Sequence, residues 1–265
     1  MYEKHWGLKK LPFENTPDTE FFFASEKHEE AFSRLSYVVD EKKSCAVLTG
    51  AYGTGKTLIL KALERDFKKK GYVFSSVSNP RLDDLGLLKM ILRNFTGYNV
   101  PARKEDVLMA MEKFLLDTCH DGKHVVIVVD EAQLIDDASV FEELRLLLNF
   151  QTETRFMATL LLSGQPELKG KLDSNKQFSQ RIVLSYNLEP LNSGETGKYI
   201  EYRLKIAGLA ENVFDGAAMD LLYKRSGGIP RWINNIANMS MLTAFSKGEK
   251  IIGAEIVAEA IESSK

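Results

Sequence analysis

The sequence predicts an α/β fold, a parallel sheet covered by helices on both faces to make three layers, followed by a small all-helical domain. Three observations predict it. Short, continuously apolar runs such as "VVIVV" at 125–129 and "MATLLL" at 157–162 have strand length but lack the alternation of a half-solvated strand. Segments of helical period separate these runs, as right-handed crossovers between parallel strands require. Beyond Pro190 the helical segments follow one another with no strand between them.

Each element follows from its own pattern. Leu8–Ser25, "LKKLPFENTPDTEFFFAS", is aromatic and punctuated by proline, which predicts a peptide strapped over a surface. Glu26–Val39 puts Ala31, Phe32, Leu35 and Val38 on one helical face. Strands are expected at "CAVLT" (45–49), "YVFSSV" (72–77), 125–129, 157–162 and "IVLSYNL" (182–188). Between them lie predicted helices at Lys56–Lys70, Leu85–Phe95, Lys104–Cys119 and Ser139–Phe150, and a shorter one at "PELKGKL" (166–172). The final four helices are expected at Ser193–Ala207, Ala217–Ser226, Arg231–Ser246 and Ala254–Ser263. This organisation predicts a strap and lead-in helix over 1–42, an α/β core over 43–190 and a helical lid over 191–265.

Composition narrows the function classes. The chain has 35 Lys+Arg against 37 Asp+Glu, a net charge of −2, so no global positive field draws it to nucleic acid. Nucleic acid stays possible through a local surface but is not favoured. The two cysteines, Cys45 and Cys119, have neither metal-ligand nor disulfide-framework spacing and suit a reducing compartment. No apolar run approaches the roughly 18 residues that span a bilayer, and "MYEKHWGLKK" lacks the apolar core of an export signal. A cytoplasmic location is expected.

"GAYGTGKT", Gly50–Thr57, fits G-x-x-x-x-G-K-[ST] and falls between a predicted strand and a predicted helix, the context this Walker A pattern needs. The glycines permit backbone geometry closed to other residues, so successive N–H groups can turn toward phosphate oxygens. The helix start adds its positive end. Gly50, Ala51, Tyr52, Gly53, Thr54, Gly55, Lys56 and Thr57, with Leu58 after them, form the expected nucleotide site. Lys56 is expected at the β- and γ-phosphates of ATP, and Thr57 at Mg²⁺. A glycine-rich turn with an incidental lysine is the competing reading, and the strand–loop–helix setting disfavours it.

"VVIVVDEAQ" sets Asp130 and Glu131 at the C-terminal end of a buried strand, where open α/β sheets bind ligands. Asp130 suits the magnesium shell and Glu131 suits the general base that polarises water, the Walker B roles. Taken alone, the pair would more simply cap the next helix; with the phosphate loop upstream the catalytic reading gains. A GTPase is disfavoured, because the one Asn-Lys pair, Asn175-Lys176, continues Gln-Phe and not x-Asp.

Toward the end, "SGGIPRWINN" places Arg231 at a rigid turn onto a helix. A strand–helix sheet with these motifs and an all-helical tail carrying Gly-Gly-Ile-Pro-Arg resembles the AAA+ ATPases. That resemblance implies a sensor 2 role for Arg231, touching the γ-phosphate. It implies a sensor 1 position in "LLLSGQPEL", where Gln165 or Ser163 would position the lytic water. Arg181, before the last strand, matches an arginine finger aimed at a neighbouring subunit's ATP, so a homo-oligomer with a trans-acting arginine is implied; a surface arginine competes almost evenly there. Ser78 and Asn79 are placed to restrain Glu131. Phe22, Phe23 and His28 are candidates to edge the adenine, or else fill a core beneath the strap. His5, His120 and His124 show no ligand spacing and read as surface residues.

Within that superfamily the chain resembles the general secretion pathway protein A (ExeA/GspA-like) family. The opening "YEKHWGLKKLPFENTPDTEFFFAS", then "LTGAYGTGKT", "DEAQ", "GQPEL", "QRI", "ETGKYIEYRLKIAG" and "GGIPR", occur in that family's order over nearly the whole length. The resemblance implies an ATPase that helps to assemble a cell-envelope secretion or pilus-type complex, with a protein partner at the envelope. Larger members add a membrane segment and a peptidoglycan-binding region, and this sequence stops after the lid with neither, so envelope contact is expected through a partner. Ser163 and Leu58 depart from the family's usual residues. A DNA-associated AAA+ regulator like the transposon target-selection ATPases is the alternative, and a slow nucleotide switch is a third reading.

Overall fold

The computed structural model describes residues 2–97, 99–209 and 211–263, so three residues of the expected lid, 210, 264 and 265, lie outside it. The chain forms two compact units. One gathers residues 29–50 and 59–188; the other gathers 1–28, 51–58 and 189–265.

The first unit is built on five parallel strands: β1 (Cys45–Gly50), β2 (Val73–Val77), β3 (Val125–Val129), β4 (Ala158–Gly164) and β5 (Ile182–Leu188). Their order is β2-β3-β4-β1-β5. The central strands β1, β3 and β4 are buried at every position, because both faces are covered. The edge strand β5 alternates half-buried and exposed residues along most of its length. The chain also contains the helices α1 (Glu3–Trp6), α2 (Glu26–Asp40), α3 (Lys56–Lys69), α4 (Asp84–Thr96), α5 (Lys104–His120), α6 (Ala138–Leu147), α7 (Glu167–Ser174) and α8 (Lys176–Ser179).

On one face, Val125, Ile127, Val129, Leu160, Leu162 and Val47 form a single core with α4–α8, supplied by residues such as Leu88, Met111, Leu144, Leu168 and Phe178. On the other face the Tyr186 hydroxyl of β5 donates to Glu30 of α2 at 2.8 Å, and Ser76 of β2 donates to Glu64 of α3 at 2.8 Å. The parallel sheet between helical layers agrees with the predicted fold class.

Three local differences have physical causes. α6 stops at Leu147 and not at Phe150: the last turns tighten to i→i−3 bonds, and the Phe150 carbonyl accepts from Met157 N–H at 3.1 Å instead. The segment after Asn175 forms the short α8, because the Asn175 side chain accepts from Phe178 N–H at 3.0 Å and Phe178 is fully buried. Burial of one phenylalanine is worth about 2 kcal/mol, enough to fix a single turn. The opening residues make the one-turn helix α1, closed by Gly7 at φ 69°.

The second unit joins the strap to α9 (Ser193–Ile206), α10 (Gly216–Ser226), α11 (Pro230–Lys247) and α12 (Ala254–Glu262). Tyr2, Trp6 and Phe13 enter the same apolar core as Ile200, Leu222, Ile233 and Met241. Arg203 of α9 is 5% exposed yet fully engaged. Its guanidinium donates to the Pro12 carbonyl, to the Glu14 carbonyl at 2.9 Å and to the Tyr199 hydroxyl at 2.8 Å, and lies 4.6 Å over the Phe21 ring. Among the described residues no helix is long and apolar enough to cross a membrane.

His124, expected at the surface, is buried beside β3. Its Nε2 lies 2.9 Å from Thr159 Oγ1, whose own proton goes to the Lys43 carbonyl at 2.7 Å, so Nε2 must donate. Burial first, then the cations Lys42 and Arg155, push its pKa from 6.5 down to about 4. The neutral ring is therefore preferred in the folded state. Its contribution to stability is complete above pH 6.5 and is lost as the pH falls from there toward 4. Replacing it by glutamine, which keeps a donor, should remove about 2 kcal/mol of the stability lost between pH 7 and pH 5. Urea denaturation of the wild type and His124→Gln at those two pH values measures the difference.

Candidate functional site

The loop between β1 and α3 belongs to the second unit from Ala51 to Leu58. Gly53 and Gly55 take φ values of +85° and +106°, which side-chain-bearing residues rarely adopt. Gly50 is buried at the end of β1, Tyr52 is exposed, and Ala51, Thr57 and Leu58 are half-buried. Thr54 is buried, and its hydroxyl donates to the Ala51 carbonyl at 2.9 Å. That carbonyl also accepts from Lys56 Nζ at 3.0 Å, so the lysine arches back across its own loop with most of its side chain buried.

His28 supports this loop from beneath. Its Nε2 lies 2.9 Å from the Thr54 carbonyl and its Nδ1 2.7 Å from Ser25 Oγ. A carbonyl only accepts, so Nε2 carries the proton and, in the neutral ring, Nδ1 accepts from the serine hydroxyl. Burial holds the imidazole below the ordinary histidine range. A Cβ on Gly55 would come within 2.9 Å of Nε2, so this glycine is demanded by the packing as well as by its φ. His28 is thus a buried support of the phosphate loop, a role sequence reading did not foresee. Phe22 meets it edge-on at 6.3 Å, and Phe23 packs edge-on against Tyr199 at 5.7 Å.

Arg231 lies on the same loop. Pro230 opens α11, with Gly228 before it at φ +73°, where a Cβ would fall 1.9 Å from the Leu191 carbonyl oxygen. This turn brings Arg231 N–H to the Gly53 carbonyl at 3.3 Å. A Cβ on Gly53 would be 2.7 Å from the Arg231 Cβ. The guanidinium sits 4.3 Å over the Tyr52 ring and donates to the Tyr52 hydroxyl.

The remaining candidates lie in the sheet unit. Asp130 follows β3, is buried, and its N–H extends the ladder to Val77 O at 2.9 Å. Glu131 has φ 53° and ψ 35°, left-handed values that cost a non-glycine residue roughly 1–3 kcal/mol. Its N–H donates to Asp130 Oδ1 at 3.0 Å, and its Oε2 accepts from Gln133 Nε2 at 2.6 Å. Gln133 Oε1 in turn accepts from Gln165 N–H at 3.0 Å, which brings Glu131 and Gln165 into one hydrogen-bonded group. Gln133 lay in plain view in "DEAQ", but nothing local in the sequence reveals its partners. Ser163 Oγ, at the end of β4, is buried without a hydrogen-bond partner.

Arg181 is half-buried. Its guanidinium donates to Asn149 Oδ1 at 2.8 Å and its carbonyl accepts from Ser44 at 2.7 Å, apart from the Glu131 group. Ser78 and Asn79 are exposed, and the Asn79 side chain accepts from Arg81 N–H. The Glu131 side chain is bonded by Gln133, not by either of them.

A loop shaped by left-handed glycines, backed by a helix start and carrying a lysine, is the loop that defines the P-loop NTPase fold. The AAA domain family matches residues 39–172, and the chain belongs to that family. Over 268 aligned positions the whole chain is 34% identical to the general secretion pathway protein A of Aeromonas hydrophila. The chain spans 49% of that curated relative, about half of its length. Among solved structures it resembles Cdc6p from Pyrobaculum aerophilum, with a TM-score of 0.72, 18% identity and coverage of 93% of this chain and 70% of that one. The Aeropyrum pernix ORC2 protein gives 0.70 at 16% identity, covering 93% and 71%. Thermotoga maritima RuvB gives 0.64 at 18%, covering 96% and 73%. At these identities the structural likeness establishes the fold alone.

Alanine at Gly53 must adopt a left-handed φ and meet the Arg231 Cβ. Gly53→Ala should therefore weaken binding of a fluorescent ATP analogue by about tenfold or more, with little change in helix content. Equilibrium titration beside circular dichroism checks this.

Proposed function

We propose that this chain binds ATP with magnesium and hydrolyses it as an oligomer, to drive assembly of a cell-envelope secretion or pilus-type complex. One observation carries the ATP reading: the glycine-shaped loop with Lys56 and the Arg231 turn meet within a single compact unit. Lys56 and Arg231 bring two cationic side chains and two helix starts to this one loop, an arrangement that suits a triphosphate. The secretion reading rests on the identity across the whole chain with a protein named for that pathway.

In this reading, residues 43–190 act as the ATPase core and 191–265 as the lid. Lys56 exchanges its bond to Ala51 for phosphate oxygens. Arg231 exchanges the Tyr52 ring for the γ-phosphate, which couples α11 to the nucleotide state. The Thr57 hydroxyl and the Asp130 carboxylate are hard oxygen donors of the kind magnesium takes, and they would be its protein ligands. Magnesium supplies charge neutralisation on the phosphates when bound. Glu131 takes the proton of the attacking water, and Gln165 orients that water. Arg181 acts on ATP held by a neighbouring subunit. The protein works in the cytoplasm and reaches the envelope through a protein partner.

Steady-state ATP hydrolysis across a wide range of protein concentration tests this. Activity per subunit should rise with concentration. Lys56→Ala should lose nucleotide binding, and Glu131→Gln should keep binding while losing about 10²–10⁴ in rate. Arg181→Ala should lose about 10³ or more in rate without weakening nucleotide binding. Activity independent of concentration, together with a fully active Arg181→Ala, would remove the trans-acting arginine from the scheme.

A further inference from the structure

A planar amide beside the proposed base has both ends committed. Gln133 Nε2 donates to Glu131 Oε2 at 2.6 Å, and Gln133 Oε1 accepts from Gln165 N–H at 3.0 Å. A carboxylate cannot donate and a backbone N–H cannot accept, so these two partners fix the amide's orientation. Exchanging its ends would set oxygen against oxygen and N–H against N–H.

The neighbourhood is shaped for this placement. A Cβ on Gly164, the last residue of β4, would lie 2.6 Å from Gln133 Oε1 and 3.2 Å from Gln133 N. Glycine at that position is what lets the amide lie against the strand end. The turn carrying Gln133, Ala132–Leu134, is held in turn by Lys171 of α7. Its Nζ donates to the carbonyls of Gln133 and Ile135 at 2.7 Å each and to Asp136 at 3.2 Å. At the other end Glu131 is held in its left-handed conformation, with its N–H on Asp130. A strained residue with its side chain tied down is the pattern of a preorganised group.

We propose that Gln133 is the positioning residue of the general base. It binds one carboxylate oxygen of Glu131 to the backbone at the end of β4, so the base and the Gln165 segment keep a single mutual geometry. Oε2 carries the fixed bond, and Oε1 is the oxygen that takes the proton. This rests on the ATPase reading above, in which Glu131 is the base. Gln133 touches no reacting atom and acts only through Glu131.

The test uses the full chain with four variants: Gln133→Ala, Gln133→Glu, Glu131→Gln and the double variant Glu131→Gln with Gln133→Ala. Affinity for a fluorescent ATP analogue and the single-turnover rate of ATP hydrolysis are measured for each. Gln133→Ala should lower the rate by about tenfold or more while leaving the affinity within about twofold, a loss confined to the chemical step. At a pH where both carboxylates are ionised, Gln133→Glu keeps an acceptor for Gln165 N–H but cannot donate to Glu131; it should show the same loss there. In the Glu131→Gln background, Gln133→Ala should cost nothing further, because the group it positions is already gone.

A Gln133→Glu variant as fast as wild type would overturn the proposal, since the residue would then only support the turn. So would losses that multiply in the double variant. If Gln133→Ala proves unstable to heat, Gln133→Glu and the wild type still decide. A wild-type protein that binds the nucleotide and never turns it over would sink the hydrolysis reading and this proposal with it, a result distinct from an active wild type with fully active Gln133 variants.

Discussion

The short approach between Gly53 and Arg231 is the constraint on which the candidate site depends. A backbone N–H meets a backbone carbonyl at 3.3 Å, and the missing Cβ of glycine makes room for the arginine's own Cβ. Two further glycine geometries serve that approach: Gly228, against Leu191, turns the chain onto α11, and Gly55, against His28, fixes the other side of the loop. Together they gather positive charge around one short segment. The Ala51 carbonyl and the Tyr52 ring soften that accumulation locally.

The sheet unit solves a different problem. β1, β3 and β4 are buried throughout, and the charged and amide side chains of the candidate site follow their C-terminal ends, where the ladder runs out. Asp130, Glu131, Gly164 and Gln165 cluster there. One amide and one lysine, Gln133 and Lys171, then convert a set of loose strand ends into a single hydrogen-bonded group.

Much of this was legible in the sequence, because it is written locally. Buried parallel strands announce themselves as unbroken apolar runs, and a phosphate loop needs its residues consecutively. Both survive without knowledge of the rest of the chain. Pairings across distance were not legible. Nothing in the surroundings of Tyr52 points to an arginine 179 positions away, and nothing beside Gln133 points to the amide of Gln165, 32 positions on. His124 misled for a related reason: its short polar context reads as surface, while the strand it precedes carries it inward to Thr159. The short helix α8 was hidden because it depends on a single buried ring, Phe178, and on one side-chain cap. The assignments of Arg231 as sensor 2 and of Arg181 as an arginine finger came from family resemblance, and they stand as proposals about what those guanidinium groups touch during turnover.

The engagement of Arg203 bears on how the ends of this protein relate. Its charge is almost wholly withdrawn from water, and the carbonyls of Pro12 and Glu14 are what make that withdrawal tolerable. A fragment begun after the strap would lose those carbonyls and uncover the apolar core that Tyr2, Trp6 and Phe13 complete. The amino-terminal segment is therefore a foundation of the carboxy-terminal helices, and in a growing polypeptide it must wait, unpaired, until the last quarter of the chain emerges to receive it.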